Sequence, residues 1–133
     1  MKPQHYHAVV WIDHKEARII HFNADSAEEE TVHPHGGAVH LHCKASTVEG
    51  YRAPENVAFF REVAAALKDA GEFLVAGPAA AKTEFVKFLH RDAPDLIEHL
   101  AGIETLDRVT DPQLLAEARR YFRVEDRMRP QIA

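Results

Sequence analysis

Four histidines lie within ten residues in the first half of the chain. They are His33, His35, His40 and His42. Neutral imidazole nitrogens bind zinc, nickel and copper, so this group has suitable side chains for a transition-metal site. In an extended segment the first two share one face, and so do the last two, and a hairpin at Gly36-Gly37 would bring both pairs together. The pattern predicts either a metal site or a polar loop whose histidines are solvated or stack on RNA.

The same segment offers a nucleophile in Cys43, which directly follows His42. A cysteine–histidine pair needs the base within hydrogen-bond reach and a third residue to orient it. Neighbours in a strand point to opposite faces, and no orienting residue is evident. We therefore interpret Cys43 as a buried or incidental thiol. As the only cysteine in the sequence, it excludes a disulfide within the chain and favours a reducing compartment.

Asp13, at the end of the first predicted strand, invites comparison with nucleases that hold two magnesium ions on sheet carboxylates. That chemistry needs several acidic side chains that converge on one point. Other acidic residues are present, but their spacing does not single them out: Glu16, Asp69 and Asp107. We expect Asp13 to order the turn after its strand rather than to bind a catalytic metal.

Gly77-Pro78 stands before a predicted helix and has features of an anion site. Free N–H groups and the positive end of a helix dipole attract phosphate, and Lys82 follows one turn along. Pro78 removes one N–H donor, however, and the repeated glycines of a nucleotide-binding loop are missing. The alternative is a plain junction between a strand and a helix. Lys82 is a candidate RNA-binding residue on the first interpretation.

Arginine is concentrated near the end of the sequence, where the last 26 residues contain Arg108, Arg119, Arg120, Arg123, Arg127 and Arg129. Guanidinium groups on a helix can contact rRNA phosphates. The alternative is a solvated helix face with local ion pairs. From this cluster we select Arg119, Arg120 and Arg123 as candidate RNA-binding residues.

The composition fits one domain with one core, since 46% of the 133 residues are hydrophobic and 28% are charged. A formal net charge of -5 argues against non-specific coating of nucleic acid, which needs surplus Lys and Arg, so any RNA contact must be local. No uncharged run approaches the roughly 18 residues that span a bilayer, and the first residues lack an apolar signal-peptide core. These features predict a cytoplasmic protein without a membrane segment.

Three strands are predicted before the first helix. Residues 7–13 are apolar on both faces, as in a central strand, and residues 17–22 repeat the strand pattern after a polar turn. The acidic stretch 28–30 leads into an edge-like strand at 31–33, because charge blunts exposed sheet edges. Residues 34–53 lack periodicity and are predicted to form a long loop, a kind of segment that often carries function.

Helices and strands alternate in the rest of the sequence. A helix is predicted from Pro54 to before Gly71, followed by a strand at 72–76 and a second helix after Gly77-Pro78. A short helix is then predicted from Pro94 through Leu100, ended by Gly102. A strand at 103–109 and a helix that starts at Thr110-Asp111-Pro112 complete the order. We expect the tail, residues 127–133, to fray. This order predicts an α/β fold whose mixed sheet starts with an antiparallel β-meander, with helices packed on the sheet.

Two stretches carry a more specific pattern. One combines a helix at 59–67, an apolar strand ending in Ala-Gly-Pro at 73–78, and a Lys with aromatic residues at 82–89. The other, at 11–19, is a strand that ends in Asp, a polar turn and a second strand. Both resemble the middle domain of the archaeal and eukaryotic release factor and Pelota family. The resemblance implies a bacterial relative with a ribonuclease-H-like fold, as a single domain over residues 1–133.

The resemblance also bears on activity. In release factors this domain carries a Gly-Gly-Gln loop that helps a water molecule attack the peptidyl ester. The corresponding segment here keeps Gly36 and Gly37, but Ala38 stands in place of the glutamine. Pelota-like relatives lack the motif too and act on stalled or idle ribosomes. The resemblance therefore implies a ribosome-associated, non-hydrolytic role. We expect no cofactor other than the zinc or other transition metal that the histidine loop could hold, and we select Gly36 and Gly37 as candidate RNA-binding residues.

The sequence supports three hypotheses. The first is a translation-associated module that binds the ribosome, rRNA or tRNA through the 34–53 loop and the arginine-rich helix. The second is a metal-binding protein or an enzyme, either a metal-dependent hydrolase at the histidine loop or a peptidyl-ester hydrolase that uses a group other than Gln. The third is a structural homodimer, since an exposed strand edge often pairs with a second copy.

Overall fold

A computed structural model describes the backbone of residues 6–34 and 54–128 and the side chains of residues 6–34 and 57–123. The elements in these ranges are β1 (His7–Ile12), β2 (Ala17–Phe22), β3 (Ala27–Val32), α1 (Pro54–Ala66), β4 (Glu72–Gly77), α2 (Ala80–Asp92), α3 (Pro94–Ile97), β5 (Leu100–Thr105) and α4 (Asp111–Met128). None of these helices is long and apolar enough to cross a membrane.

The five strands form one mixed sheet in the order β3-β2-β1-β4-β5. The pairs β1–β2 and β2–β3 are antiparallel, whereas β1–β4 and β4–β5 are parallel. Residues 8–12 of β1 are all buried, which explains why this central strand is apolar on both faces. The predicted α/β fold, with an opening meander and helices on the sheet, is confirmed.

Each face of the sheet has its own core. Val10 and Ile12 of β1 belong to the core shared with α1 and α2, whereas Val9 and Trp11 belong to the core shared with α4. This division follows from the alternation of side chains along a strand. Helices therefore cover both faces, with α4 alone on one of them within the described residues.

Strands β1, β4 and β5 point the same way, so the sheet has an amino end, where they begin, and a carboxyl end, where they finish. The C-terminal end of α1 lies at the amino end, since Ala66 O is 2.7 Å from His21 Nε2 and the backbone N–H of Gly71 donates to Tyr6 O at 2.7 Å. Helix α1 runs in the same direction as α2, which starts after β4, because Phe60 packs on Phe85 with 5.6 Å between ring centres and Lys68 borders a cavity with Asp92. Since its 13 residues span about 20 Å, α1 begins near the carboxyl end. Pro34 and Pro54, the residues that flank 35–53, therefore both lie toward the carboxyl end.

Boundaries predicted for the third and last strands were wrong. The acidic residues 28–30 lie inside β3 rather than before it, because an edge strand tolerates charge on both faces. The last strand begins at Leu100 and ends at Thr105, not at 103–109. Residues after Thr105 leave the sheet and pass over Trp11, whose Nε1 donates to Leu106 O at 3.0 Å.

The short helix α3 ends at Ile97, three residues earlier than predicted. Leu100 pairs with Phe73 instead, and Gly102 pairs with Leu74 inside β5 rather than ending a helix. A side chain at Gly102 would meet the Tyr121 hydroxyl, since a Cβ there would be 2.2 Å from its oxygen. Pairing with β4 and close packing against α4 thus override the local helix signal. Helix α4 continues to Met128, two residues into the predicted tail.

Candidate functional site

The turn after β1 is ordered by Asp13. Its Oδ1 accepts hydrogen bonds from the backbone N–H groups of Lys15 (2.8 Å) and Glu16 (2.9 Å). The backbone N–H of Asp13 donates to Glu16 O at 3.0 Å and closes the same turn. The prediction that Asp13 orders this turn is confirmed.

Arg18 anchors the first turn of α4 at the carboxyl end. Its Nη1 donates to Asp111 Oδ1 and its Nη2 to Val109 O, both at 2.7 Å, and its side chain is only 12% exposed. The helix is also capped reciprocally: Gln113 N donates to the Thr110 hydroxyl and Thr110 N to the Gln113 side-chain oxygen. The predicted helix start is confirmed, with Thr110 as the capping residue.

A second arginine covers Trp11 at the same place. Both nitrogens at the tip of Arg108 donate to Glu16 Oε2 at 2.8 Å, and its guanidinium carbon lies 5.1 Å from the centre of the Trp11 ring. The Arg18 guanidinium carbon lies 4.8 Å from that ring centre, in a cation–π arrangement. Strand alternation alone places Arg18 and Trp11 on the same face, but their joint role depends on contacts more than 90 residues apart, which no local sequence pattern reveals.

The described carboxylates at this end do not converge on one point where a cation could bind. Glu16 is held by Arg108, Asp111 by Arg18, and Asp13 by its own turn. Asp69 follows α1 and lies toward the opposite end of the sheet. Within the described residues, no three His, Cys, Asp or Glu side chains are arranged to hold a metal ion. The arrangement gives no support to nuclease chemistry.

Of the four predicted metal ligands, only His33 falls in the described part of the chain. Its side chain is 65% exposed, and its Nε2 lies 3.7 Å from Glu16 Oε1. The other three histidines, the two glycines and the cysteine of this segment lie outside the described residues: His35, His40, His42, Gly36, Gly37 and Cys43. A zinc or other transition-metal site there stays a prediction.

Lys82 also lies toward the carboxyl end, in the first turn of α2. Its Nζ donates to Ala79 O at 2.7 Å, so the side chain folds back on the loop that follows β4. No side chain caps this helix start. Nearby, His14 Nε2 of the β1–β2 turn lies 3.2 Å from Glu84 Oε1. Anion binding by Lys82 stays a prediction.

Arg119 ties the middle of α4 to the turn between β2 and β3. Its Nη2 donates to Asn23 O at 2.9 Å and its Nε to the same oxygen at 3.2 Å. Its guanidinium carbon lies 5.9 Å from the centre of the Phe22 ring. Two of its donor nitrogens therefore face the protein, at the amino end of the sheet.

The other two candidate arginines of α4 differ from Arg119 and from each other. Arg120 donates from Nε and Nη2 to the Glu117 carboxylate, and this hydrogen bond lowers the pKa of Glu117. Burial raises the pKa of neighbouring Glu104. Arg123 is exposed and makes no hydrogen bond or ion pair with the described residues. Local ion pairing, the alternative interpretation of the arginine cluster, thus describes Arg120.

The fold does not bring the described RNA-binding candidates together. Lys82 lies near the carboxyl end, whereas Arg119 and Arg123 lie at the amino end with Phe22 and Asn23. The four residues at the amino end border a shallow cavity of about 230 Å³, which was not predicted from the sequence. No sequence signal marks this cavity, because its lining comes from β1, the end of β2 and the distant helix α4.

No protein-family model matches this sequence, and no curated protein matches it significantly. Solved structures with a similar fold do exist. Pelota from Archaeoglobus fulgidus matches with a TM-score of 0.60 and 20% sequence identity, over 86% of this chain and 30% of its own. Pelota from Thermoplasma acidophilum matches with a TM-score of 0.57 and 18% identity, over 80% of this chain and 29% of its own.

Dom34 from S. cerevisiae matches with a TM-score of 0.56 and 8% identity, over 84% of this chain and 31% of its own. It is described as a translation termination-like factor involved in RNA quality control pathways and interacting with Hbs1. The chain spans about a third of the length of each of these proteins. It therefore has a Pelota-like fold and corresponds to one part of these larger factors.

Proposed function

We propose that this chain is a translation-associated module that binds the ribosome or its RNA and has no peptidyl-tRNA hydrolase activity. The observation that carries the proposal is the shared fold with Pelota and Dom34 over 80–86% of the chain. Dom34 is a translation termination-like factor in RNA quality control, so the similar fold supports a translation-associated role for this chain, which we place in the cytoplasm. Similarity of fold alone does not carry a residue's role, so the contact residues need their own argument.

The geometry favours the carboxyl end as the face that meets the ribosome. Sheets of this type bind ligands beyond the carboxyl ends of their parallel strands. Pro34 and Pro54, which flank segment 35–53, both lie toward this end of the sheet, and Gly36 and Gly37 belong to that segment. The bonds from Arg18 to Asp111 and from Arg108 to Glu16 stabilise the end of the sheet from which this segment departs. We therefore propose the segment as the main RNA contact, with Lys82 beside it.

The lack of hydrolase activity follows from the residues available. Ala38 stands where a release factor has glutamine, so the group that helps water attack the ester is missing. Among the described carboxylates at this end, Glu16 and Asp111 bind arginines, Asp13 binds backbone N–H groups, and Glu84 lies 3.2 Å from His14. The proposal includes no homodimer through β3, because its open edge carries Glu28, Glu29 and Glu30 and two copies would repel each other there.

Co-sedimentation with purified ribosomes at moderate salt tests this function. We expect the chain to be enriched in the ribosome pellet relative to a protein of similar size and net charge. A G36A/G37A variant should lower that enrichment, whereas Gly50→Ala, a glycine change in the same segment, should not. Absence of enrichment would contradict the proposal, and equal loss in both variants would remove the assigned role of the two glycines.

A peptide-release assay with peptidyl-tRNA bound to ribosomes tests the second part. We expect release at the rate of the buffer control. Release that depends on the protein would contradict the absence of hydrolase activity and leave ribosome binding intact.

A further inference from the structure

A cavity at the amino end of the sheet combines aromatic rings with two arginines. It has a volume of about 230 Å³ and lies between the start of β1, the end of β2 and helix α4. Its size suits one planar ring rather than a larger ligand, since sites for drug-sized ligands occupy roughly 300–1,000 Å³. It is separate from the carboxyl end, where the proposed function places the main ribosome contact.

The rings are packed against one another. His7 lies 4.3 Å from Phe122 and 5.8 Å from Phe22, measured between ring centres, and it is stacked on the latter. The exposed ring of Tyr6 lies 5.0 Å from that of His7 but is perpendicular to it and does not line the cavity, so the rings that line it are those of His7, Phe22 and Phe122. Nucleobases stack on such surfaces, and each base contributes about 1–3 kcal/mol to binding.

The two arginines have different roles at this cavity. Arg119 is held in place by its hydrogen bonds to Asn23 O and contributes a fixed positive charge to one side of the cavity. Arg123 is exposed, and its donor nitrogens are not used by the described residues. A planar guanidinium with unused donors is suited to bidentate contact with phosphate.

We propose that this cavity binds one unstacked nucleotide, with the base against the ring of His7 and the phosphate on Arg123. The inference rests on the proposed function and deepens it, because it adds a second RNA contact at the opposite end of the module. The nucleotide belongs either to single-stranded RNA or to a free nucleoside monophosphate, and both share the chemistry of a planar base next to a phosphate.

Titration of the ¹⁵N-labelled chain, followed by NMR, tests the proposal with four probes: inorganic phosphate, adenosine, adenosine monophosphate and a short single-stranded RNA. We expect the monophosphate and the RNA to shift the amide signals of His7, Phe22 and Arg123. Adenosine and phosphate alone should bind at least tenfold more weakly. Tighter binding of RNA than of the monophosphate identifies RNA as the source, and the reverse order identifies a free nucleotide.

Arg123→Ala should weaken binding of the monophosphate about tenfold, as expected for the loss of a charge-assisted hydrogen bond. Arg123→Lys should retain part of the affinity because it keeps the charge but not the planar fork. Arg61→Ala is the matched control, since Arg61 is exposed on α1 and, like Arg123, makes no hydrogen bond or ion pair with the described residues. An equal loss in the Arg61 and Arg123 variants, or shifts outside the cavity only, would overturn the proposal.

The two proposals fail independently. If the chain sediments with ribosomes but the cavity binds none of the four probes, the nucleotide site is overturned and the translation-associated function stands. If the cavity binds the monophosphate but the chain does not sediment with ribosomes, the site stands as one for a free nucleotide and the proposed function fails.

Discussion

The two ends of the sheet differ in the partners of their arginines. At the carboxyl end, Arg18 and Arg108 are bound to Asp111 and Glu16. At the amino end, Arg119 is bound only to backbone oxygens, and Arg123 has no partner among the described residues. Arginines therefore hold elements together at both ends, and at the amino end the exposed guanidinium of Arg123 makes no hydrogen bond or ion pair with the described residues.

The difference shows why a count of arginines predicts little about RNA binding. A guanidinium already bonded to a carboxylate has lost much of its attraction for phosphate. Arg108, Arg120 and Arg123 come from the same sequence cluster, yet only the last is left without a described partner. The position of carboxylates in the fold, rather than the density of arginine, decides which side chain can bind.

The largest expected effect on stability comes from a glycine substitution at the carboxyl end, compared with one at the amino end. A Cβ at Gly77 would lie 2.3 Å from the backbone oxygen of Ile12, so neither strand can yield without breaking the pairing between β1 and β4. We expect Gly77→Ala to lower the free energy of unfolding by about 3 kcal/mol. Urea denaturation, followed by circular dichroism and by fluorescence of the single tryptophan, measures it.

Gly71→Ala at the amino end is the matched control for that change. A Cβ there would meet the exposed ring of Tyr6 at 2.0 Å, but this side chain can rotate away. We expect a loss of about 1 kcal/mol. Equal losses for both glycines would show that the carboxyl end is no more tightly constrained than the amino end.

The next effect concerns the bond between β2 and α4. Arg18→Met keeps most of the side-chain length but leaves Asp111 and Val109 O without their donor, which should cost about 2–3 kcal/mol of stability. Arg108→Met removes an exposed pair and should cost less than about 1 kcal/mol. Denaturation midpoints, with the slope m unchanged, measure both. A larger loss for Arg108 would contradict the assignment of Arg18 as the anchor.

Much of the fold could be predicted from the sequence because its signals are local. The apolar run of β1, the Gly-Pro junction after β4 and the Thr110 cap each specify a boundary within a few residues. The errors fell where distant pairing decides: Leu100 joins β4 although its neighbours favour a helix, and the glutamates of β3 lie within an edge strand. Side-chain networks were less predictable still, because Arg18 meets Asp111 across 93 residues.

The smallest expected effects on stability concern the two arginines at the amino end. Arg119→Ala removes the donors to Asn23 O and should lower the free energy of unfolding by about 1.5–2 kcal/mol, the lower part of the range for hydrogen bonds from charged donors. Arg123→Ala removes an exposed side chain without a described partner and should change stability by less than about 0.5 kcal/mol. Thermal and urea denaturation of both variants provide the measurement. If the two losses were equal, Arg123 would serve the fold as Arg119 does, and its guanidinium would not be available for a nucleotide.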